Sequence, residues 1–369
     1  MKTPLHWTYL LLGLLSTNIL TLGWMLKKNS ALANPTATLP TKPSKPWLKI
    51  PKIQKQATNE IDSLTLANSD TTQYKMYLYD IPAGINFAGE VVPLEIEHIF
   101  EKLELEFTEM TCHHAGLMIA MKRANRWFPQ MEPILRKHGI PDDFKYLAIV
   151  ESYLSNATSP KKAKGYWQFL EETAEIFGLE VSEDVDERLA PLKATEAACL
   201  YFKEAYGKFN SWTSAAASYN MGMGGVQKHL NQQYGNSFYD LQVYDETTRY
   251  IYRAIAIKFI FQNPDKFHLN IPTEQLYFPT PVRKVSVSAS LENLADFAKS
   301  QQISYAALKA YNPWLINTKL EVKSGKNYVI DIPLDKDSVA LYQELKINYL
   351  NLEKLNTIGD SLQRKPKKE

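Results

Sequence analysis

The stretch from Ile140 to Leu170 constrains the chain most, because it puts a carboxylate where a helix asks for a core residue. Ile140-Pro141 predicts a helix start, since proline at the first helical position gives up an N–H that would have had no partner there. Asp142 and Asp143 follow in the first turn, where the helix dipole favours negative charge. Phe144, Leu147 and Ala148 then form an apolar stripe at i, i+3 and i+4, and the i+7 position of that stripe is Glu151. A carboxyl on a buried stripe is partly desolvated, which raises its pKa, and a place near the helix C-terminus works in the same direction. Both effects favour an acid that keeps its proton near neutral pH and can serve as a general acid. The simpler reading is a boundary glutamate whose stem packs and whose head reaches water. The helix alone does not separate the two.

Downstream of Glu151-Ser152 come Ser159, then Gly165-Tyr166-Trp167-Gln168-Phe169, then Ala217-Ser218-Tyr219-Asn220-Met221-Gly222, then Glu246-Thr247 with Tyr250. In order and approximate spacing this resembles the soluble lytic transglycosylase (SLT) domain of bacterial murein lyases. That family carries a Glu-Ser pair, a Gly-x-x-Gln segment, an Ala-Tyr-Asn-x-Gly segment and a late Glu-Thr-x-x-Tyr. The similarity runs from about Val91 to Phe267. Each motif alone is weak; four in order, with a glutamate on an apolar stripe, favour the catalytic reading of Glu151. Ser218 stands where the family often has alanine, and Tyr166 where Leu or Phe is common; neither change removes a polar group that the chemistry needs.

The resemblance implies a mainly α, lysozyme-like catalytic domain acting on peptidoglycan glycan strands, with no metal and no organic cofactor. It implies that Glu151 protonates the glycosidic oxygen between N-acetylmuramic acid and N-acetylglucosamine, and then acts as base while the muramoyl 6-hydroxyl closes a 1,6-anhydro ring. Tyr250 would hydrogen-bond Glu151 and hold its rotamer. Ser152, Ser159 and Gln168 would orient sugar hydroxyls and amides, and Tyr219 and Asn220 would line the subsite around the acetamido group. Glu246 would fix the closing helix, although a second carboxylate there keeps hydrolysis open, since ordinary glycosidases use two. Trp167 suits either a sugar face or the core. Two other readings are a muramidase (hydrolase) on the same fold and a catalytically inactive peptidoglycan-binding protein.

At 369 residues and 45% hydrophobic, the chain has room for one sizeable core and a smaller one, and its net charge of +2 gives no general attraction to nucleic acid. Residues 1–33 read as a signal peptide or N-terminal anchor: Lys2, an apolar run from Trp7 to Leu26 long enough to span a bilayer, Lys27-Lys28, then Ala31-Leu32-Ala33 as a small-residue cleavage site. The lysines after the run argue against export of a retained span. The reading is export to the periplasm or cell envelope, with residues 7–26 as the membrane anchor if that run is retained. Residues 34–70, rich in Pro, Thr, Lys and Ser, read as a linker.

Residues 71–138 form a helical extension: Ile96, Ile99, Phe100, Leu103 and Phe107 keep helical spacing, a second helix runs from Thr111 to Trp127, and a third carries Ile134-Leu135. Cys112-His113-His114 is not a metal motif, because adjacent helical residues point apart and no partner cluster follows. Cys112 and Cys199 either pair in an exported protein or stay as two buried thiols. Within the catalytic region (139–270), Tyr166 to Phe177 reads as helix with Gly178 as its cap, Glu183, Asp184, Asp186 and Glu187 as a solvated loop without calcium spacing, and Asn220 to Gly225 as a flexible turn. Residues 280–335 run strand, helix, helix, strand with "NPWL" and a closing "IP", which resembles a LysM peptidoglycan-binding module. The usual Gly-Asp-Thr opening is replaced by Ala289-Ser290-Leu291. Residues 336–369 read as a helix and a basic end.

Overall fold

Two positive-φ residues, Ala88 (54°) and Gly89 (82°), turn the chain between β1 (Asn86–Phe87) and β2 (Glu90–Val91). The computed structural model describes residues 79–112 and 114–334, so the candidate targeting segment, the linker and the C-terminal tail lie outside the described residues. Among the described residues no helix is long and apolar enough to cross a membrane.

Helix α1 (Glu97–Cys112) leads into α2 (His114–His138). The expected break near Trp127 is absent: α2 continues through Pro129 and Pro133. Each interior proline costs about 3 kcal/mol. One face of α2 buries Leu117, Ala120, Ala124, Phe128, Met131 and Leu135, and at roughly 1.5–3 kcal/mol per large apolar side chain this packing outweighs the two prolines. Gly139, at φ 72°, closes the helix. Pro141 then opens a single 3₁₀ turn (Asp142–Phe144) that feeds α3 (Lys145–Ser152).

After α3 the chain loops to α4 (Glu171–Ile176), which starts five residues later than the sequence suggests. Trp167 lies in that loop, fully buried, and donates its Nε1–H to Thr195 Oγ1 at 2.9 Å; it is a core residue and not a sugar platform. Then come α5 (Pro191–Phe209), α6 (Trp212–Met221), α7 (Met223–Gln233) and α8 (Asp245–Gln262). The expected flexible turn after Asn220 is instead a junction in which Gly222 alone, at φ 79°, redirects α6 into α7. Helix α8 is the central one, burying Tyr250, Ile251, Ala254, Ile255 and Ile257 among α1, α3 and α6. From β2, the Glu90 carboxylate accepts the N–H groups of Trp212 and Thr213 and so caps α6.

The C-terminal part has β3 (Val282–Val287), α9 (Leu294–Ser300), α10 (Tyr305–Tyr311) and β4 (Tyr328–Pro333), with β3 and β4 antiparallel in the register Val285↔Ile330. Its own core holds Leu294, Leu308, Leu315, Leu320, Ile330 and Ile332. Asn312 pins the turn after α10 to β4: its Nδ2–H donates to Asp331 O (2.6 Å) and its Oδ1 accepts from Asp331 N (2.8 Å).

Two further expectations change. Of the acidic segment only Glu183 is exposed as a solvated loop would have it; Asp184, Asp186 and Glu187 are buried and paired. The cysteines are both free; Cys199 is buried, where desolvation pushes its thiol up to about 12, but Cys112 is exposed.

Candidate active site

Glu151 sits one residue from the end of α3, on the stripe made by the buried Phe144, Leu147 and Ala148. The helix stops in two consecutive left-handed residues, Tyr153 (φ 50°) and Leu154 (φ 55°), which turn the chain away just past the carboxyl. Arg123 of α2 donates to the Tyr153 carbonyl at 2.9 Å and so satisfies an acceptor that the helix end leaves open. Part of the Glu151 side chain remains accessible, yet desolvation dominates its carboxyl and pushes its pKa up to about 8. Tyr250 draws the value down, and the charge of Glu246 pushes it up.

Two tyrosines share this environment. Burial, with the nearby Glu151 charge adding to it, holds the hydroxyls of Tyr219 and Tyr250 well above their ordinary range, so both remain proton donors. Tyr219 donates to the Trp167 carbonyl at 2.7 Å. The Tyr250 hydroxyl is buried and makes no hydrogen bond of ordinary geometry, although it lies close enough to Glu151 for each to act on the other's pKa. Such contacts tighten when a substrate fills the site.

The remaining motif residues divide by what their polar atoms already do. Ser152 is buried; its Oγ–H faces the carbonyls of Tyr166 (2.9 Å) and Ala148 (3.2 Å), and its oxygen accepts Ser155 N at 3.2 Å. Ser159 accepts Ala163 N at 3.0 Å within its own loop. The Gln168 amide donates to Ala157 O (3.0 Å) and Gly165 O (2.8 Å), in a backbone held at φ 48°. These three bind the chain to itself. Asn220 accepts the Thr247 hydroxyl at 2.7 Å through Oδ1. Glu246 is exposed in the first turn of α8, where its charge complements the dipole.

The structure thus brings Tyr219, Tyr250 and Glu246 within electrostatic reach of Glu151. Asn220 and Thr247 link α6 to the start of α8. Among the described residues no three His, Cys, Asp or Glu side chains converge as a metal site would require.

Residues 132–242 match the family model of the transglycosylase SLT domain, and residues 283–336 match that of the soluble lytic transglycosylase C-terminal LysM-like domain. The residues around Glu151 therefore lie in an SLT-like segment. Membrane-bound lytic murein transglycosylase D of Escherichia coli strain K12 and of strain O6:H1 are each 29% identical to it over 202 residues, covering 53% of this chain and 44% of each relative. The chain therefore spans less than half the length of those curated relatives. A solved structure of the lytic transglycosylase Slt from Pseudomonas aeruginosa, an inactive mutant, matches at 20% identity over 41% of this chain and 26% of its own, with a TM-score of 0.31.

The matched SLT segment contains Glu151, Ser152, Ser159, Gln168, Tyr219 and Asn220 but stops before Glu246 and Tyr250, which α8 returns to the site from outside it. Two residues that support the site from before the matched segment, Arg123 and Glu106, were not singled out from the sequence. Arg123 carries no local signal. Glu106 does: it is i+7 from Ile99 on the buried stripe of α1, and it is completely buried. It receives Arg249 and, at 3.0 Å, Arg253, the two arginines that flank Tyr250 on α8.

Proposed function

We propose that the protein is a peptidoglycan lytic transglycosylase that cleaves the β-1,4 bond between N-acetylmuramic acid and N-acetylglucosamine and leaves 1,6-anhydromuramoyl ends. The observation that carries this reading is the placement of Glu151 at the end of α3 beside the buried Tyr250 hydroxyl, where desolvation pushes its pKa up to about 8, with the neighbouring carboxylate Glu246 out in solvent. A protonated Glu151 gives its proton to the glycosidic oxygen as the C1–O bond breaks and the N-acetylglucosamine hydroxyl leaves. The positive charge that develops at C1 is met by the muramoyl 6-hydroxyl, which bonds to C1 and passes its proton to the Glu151 carboxylate. The acid is regenerated and no water is consumed. One carboxyl suffices because the two transfers are sequential.

Tyr250 holds the carboxyl's rotamer and hydrogen-bonds the carboxylate formed between the two steps; its buried donor has capacity to spare. Asn220, whose Nδ2 remains available, faces the sugar amide, and Tyr219 walls the site. The LysM-like module supports peptidoglycan as the ligand, and murein action by membrane-bound relatives supports a place in the cell envelope. Residues 7–26 would supply signal or anchor.

The test is mass spectrometry of soluble products from purified sacculi incubated with the protein and with Glu151→Gln. Anhydromuropeptides from the wild type and none from the variant are expected. Reducing-end products would reassign the protein as a hydrolase with Glu246 as second carboxylate; retention on sacculi without products would make it a binding protein.

A further inference from the structure

The LysM-like module is joined to the SLT domain by a strand-like clasp. Val185 pairs antiparallel with Leu315; Asp186 N donates to Trp314 O (2.8 Å) and Ile316 N to Asp184 O (3.0 Å). Asp184 is 6% exposed, and its carboxylate accepts Asn317 Nδ2 (2.8 Å) and Glu321 N (2.9 Å). Val185, although it belongs to the SLT segment, is buried in the core of the module.

The other side of the same segment reaches the site. Buried Asp186 takes Arg188 through Nε and Nη2 (both 2.8 Å) and Lys164 at 3.0 Å. The Arg188 carbonyl packs so closely on Gly165 that a Cβ there would stand 1.8 Å from the oxygen. The next residue, Tyr166, accepts the hydrogen bond of Ser152, the neighbour of Glu151. Main-chain and buried-charge contacts thus run without a gap from the module to the end of α3.

We propose that the module is a brace as well as an appendage: through Asp184 it fixes the loop at residues 162–168 and, through that loop, the position of Glu151. Asp184 is a positioning residue that never meets the glycan. The brace itself is independent of the enzymatic reading; only its kinetic consequence rests on it.

The experiment compares wild type, Asp184→Ala, Asp184→Asn and, as a milder cut from the module side, Asn317→Ala, all as full chains. Hydrogen exchange of the 153–168 amides is followed alongside melting curves. Loss of hydrogen bonds to a buried carboxylate should speed exchange in that segment at least about tenfold in Asp184→Ala. Melting should split into two steps, with Asp184→Asn and Asn317→Ala intermediate. On a short soluble glycan that cannot reach the module, kcat should fall with KM little changed. Unaltered exchange at 153–168 in a folded variant, whether melting is split or single, overturns the brace. Faster exchange with no activity in any form, wild type included, keeps the brace and rejects the lyase reading instead.

Discussion

Two glutamates of this chain occupy the same sequence position in a helical stripe and meet opposite fates. Glu106 and Glu151 are each i+7 on a run of buried apolar residues. Glu106 finds two arginines on α8 and is neutralised as an ion pair, whereas Glu151 finds a tyrosine and a second carboxylate and retains its proton. The stripe made Glu151 legible in the sequence, but the partner that decides between acid and ion pair lies about 100 residues away and no local pattern carries it. Three outcomes follow at this scale. If activity needs the protonated acid, kcat/KM falls on the alkaline side near pH 8; Glu246→Gln, which removes a charge that raises the pKa, should move that limb down, and Tyr250→Phe should move it up, as measured pH–rate profiles would show. Stability gives an independent reading. The folded pKa of about 8 exceeds the ordinary 4.5, so between those values the native state binds more protons than the unfolded one. This contribution is complete below pH 4.5 and is lost as pH rises through 8. Glu151→Gln has nothing to lose, so its melting temperature should exceed that of the wild type at pH 9 and converge with it in acid.

Among the elements, long periodic helices were readable and short aromatic runs were not. Tyr166-Trp167-Gln168-Phe169 reads as helix because a short apolar run has no period of its own. The folded chain buries Trp167 from a loop, since the indole N–H finds Thr195 and Gln168 accepts a left-handed backbone tied down by its own amide. The break expected in α2 failed for the converse reason: proline is a local penalty, and the buried face of the helix exceeds it. Gly165 is the tightest point of this architecture, with φ at 82° and the Arg188 carbonyl where a side chain would go. Gly165→Ala should lower stability by about 2 kcal/mol or more, measured by denaturant unfolding. Glu106→Gln should cost of order 1–3 kcal/mol in the same assay, at the low end because both arginines keep access to water.

For the whole molecule, the order of modules was visible in the sequence, while the join between them was hidden in an acidic run that looks like a solvated loop. Its partners lie more than 120 residues downstream and much of the join is made by peptide groups, which leave no trace in side-chain pattern. The charged contact on its rim is a lesser matter. Lys326 and Glu180 are 2.6 Å apart, but the lysine side chain is 45% exposed, so Lys326→Ala should change stability by less than about 1 kcal/mol, far below the effect of Asp184→Ala in the same thermal scan. A join written largely in the main chain has a consequence for descent. Peptide groups are the same whatever residue bears them, so substitutions over the rest of the module's surface leave its attachment intact. A lineage could thus replace the module's surface residues, the usual Gly-Asp-Thr opening among them, and still inherit the module, because selection would hold it by its backbone.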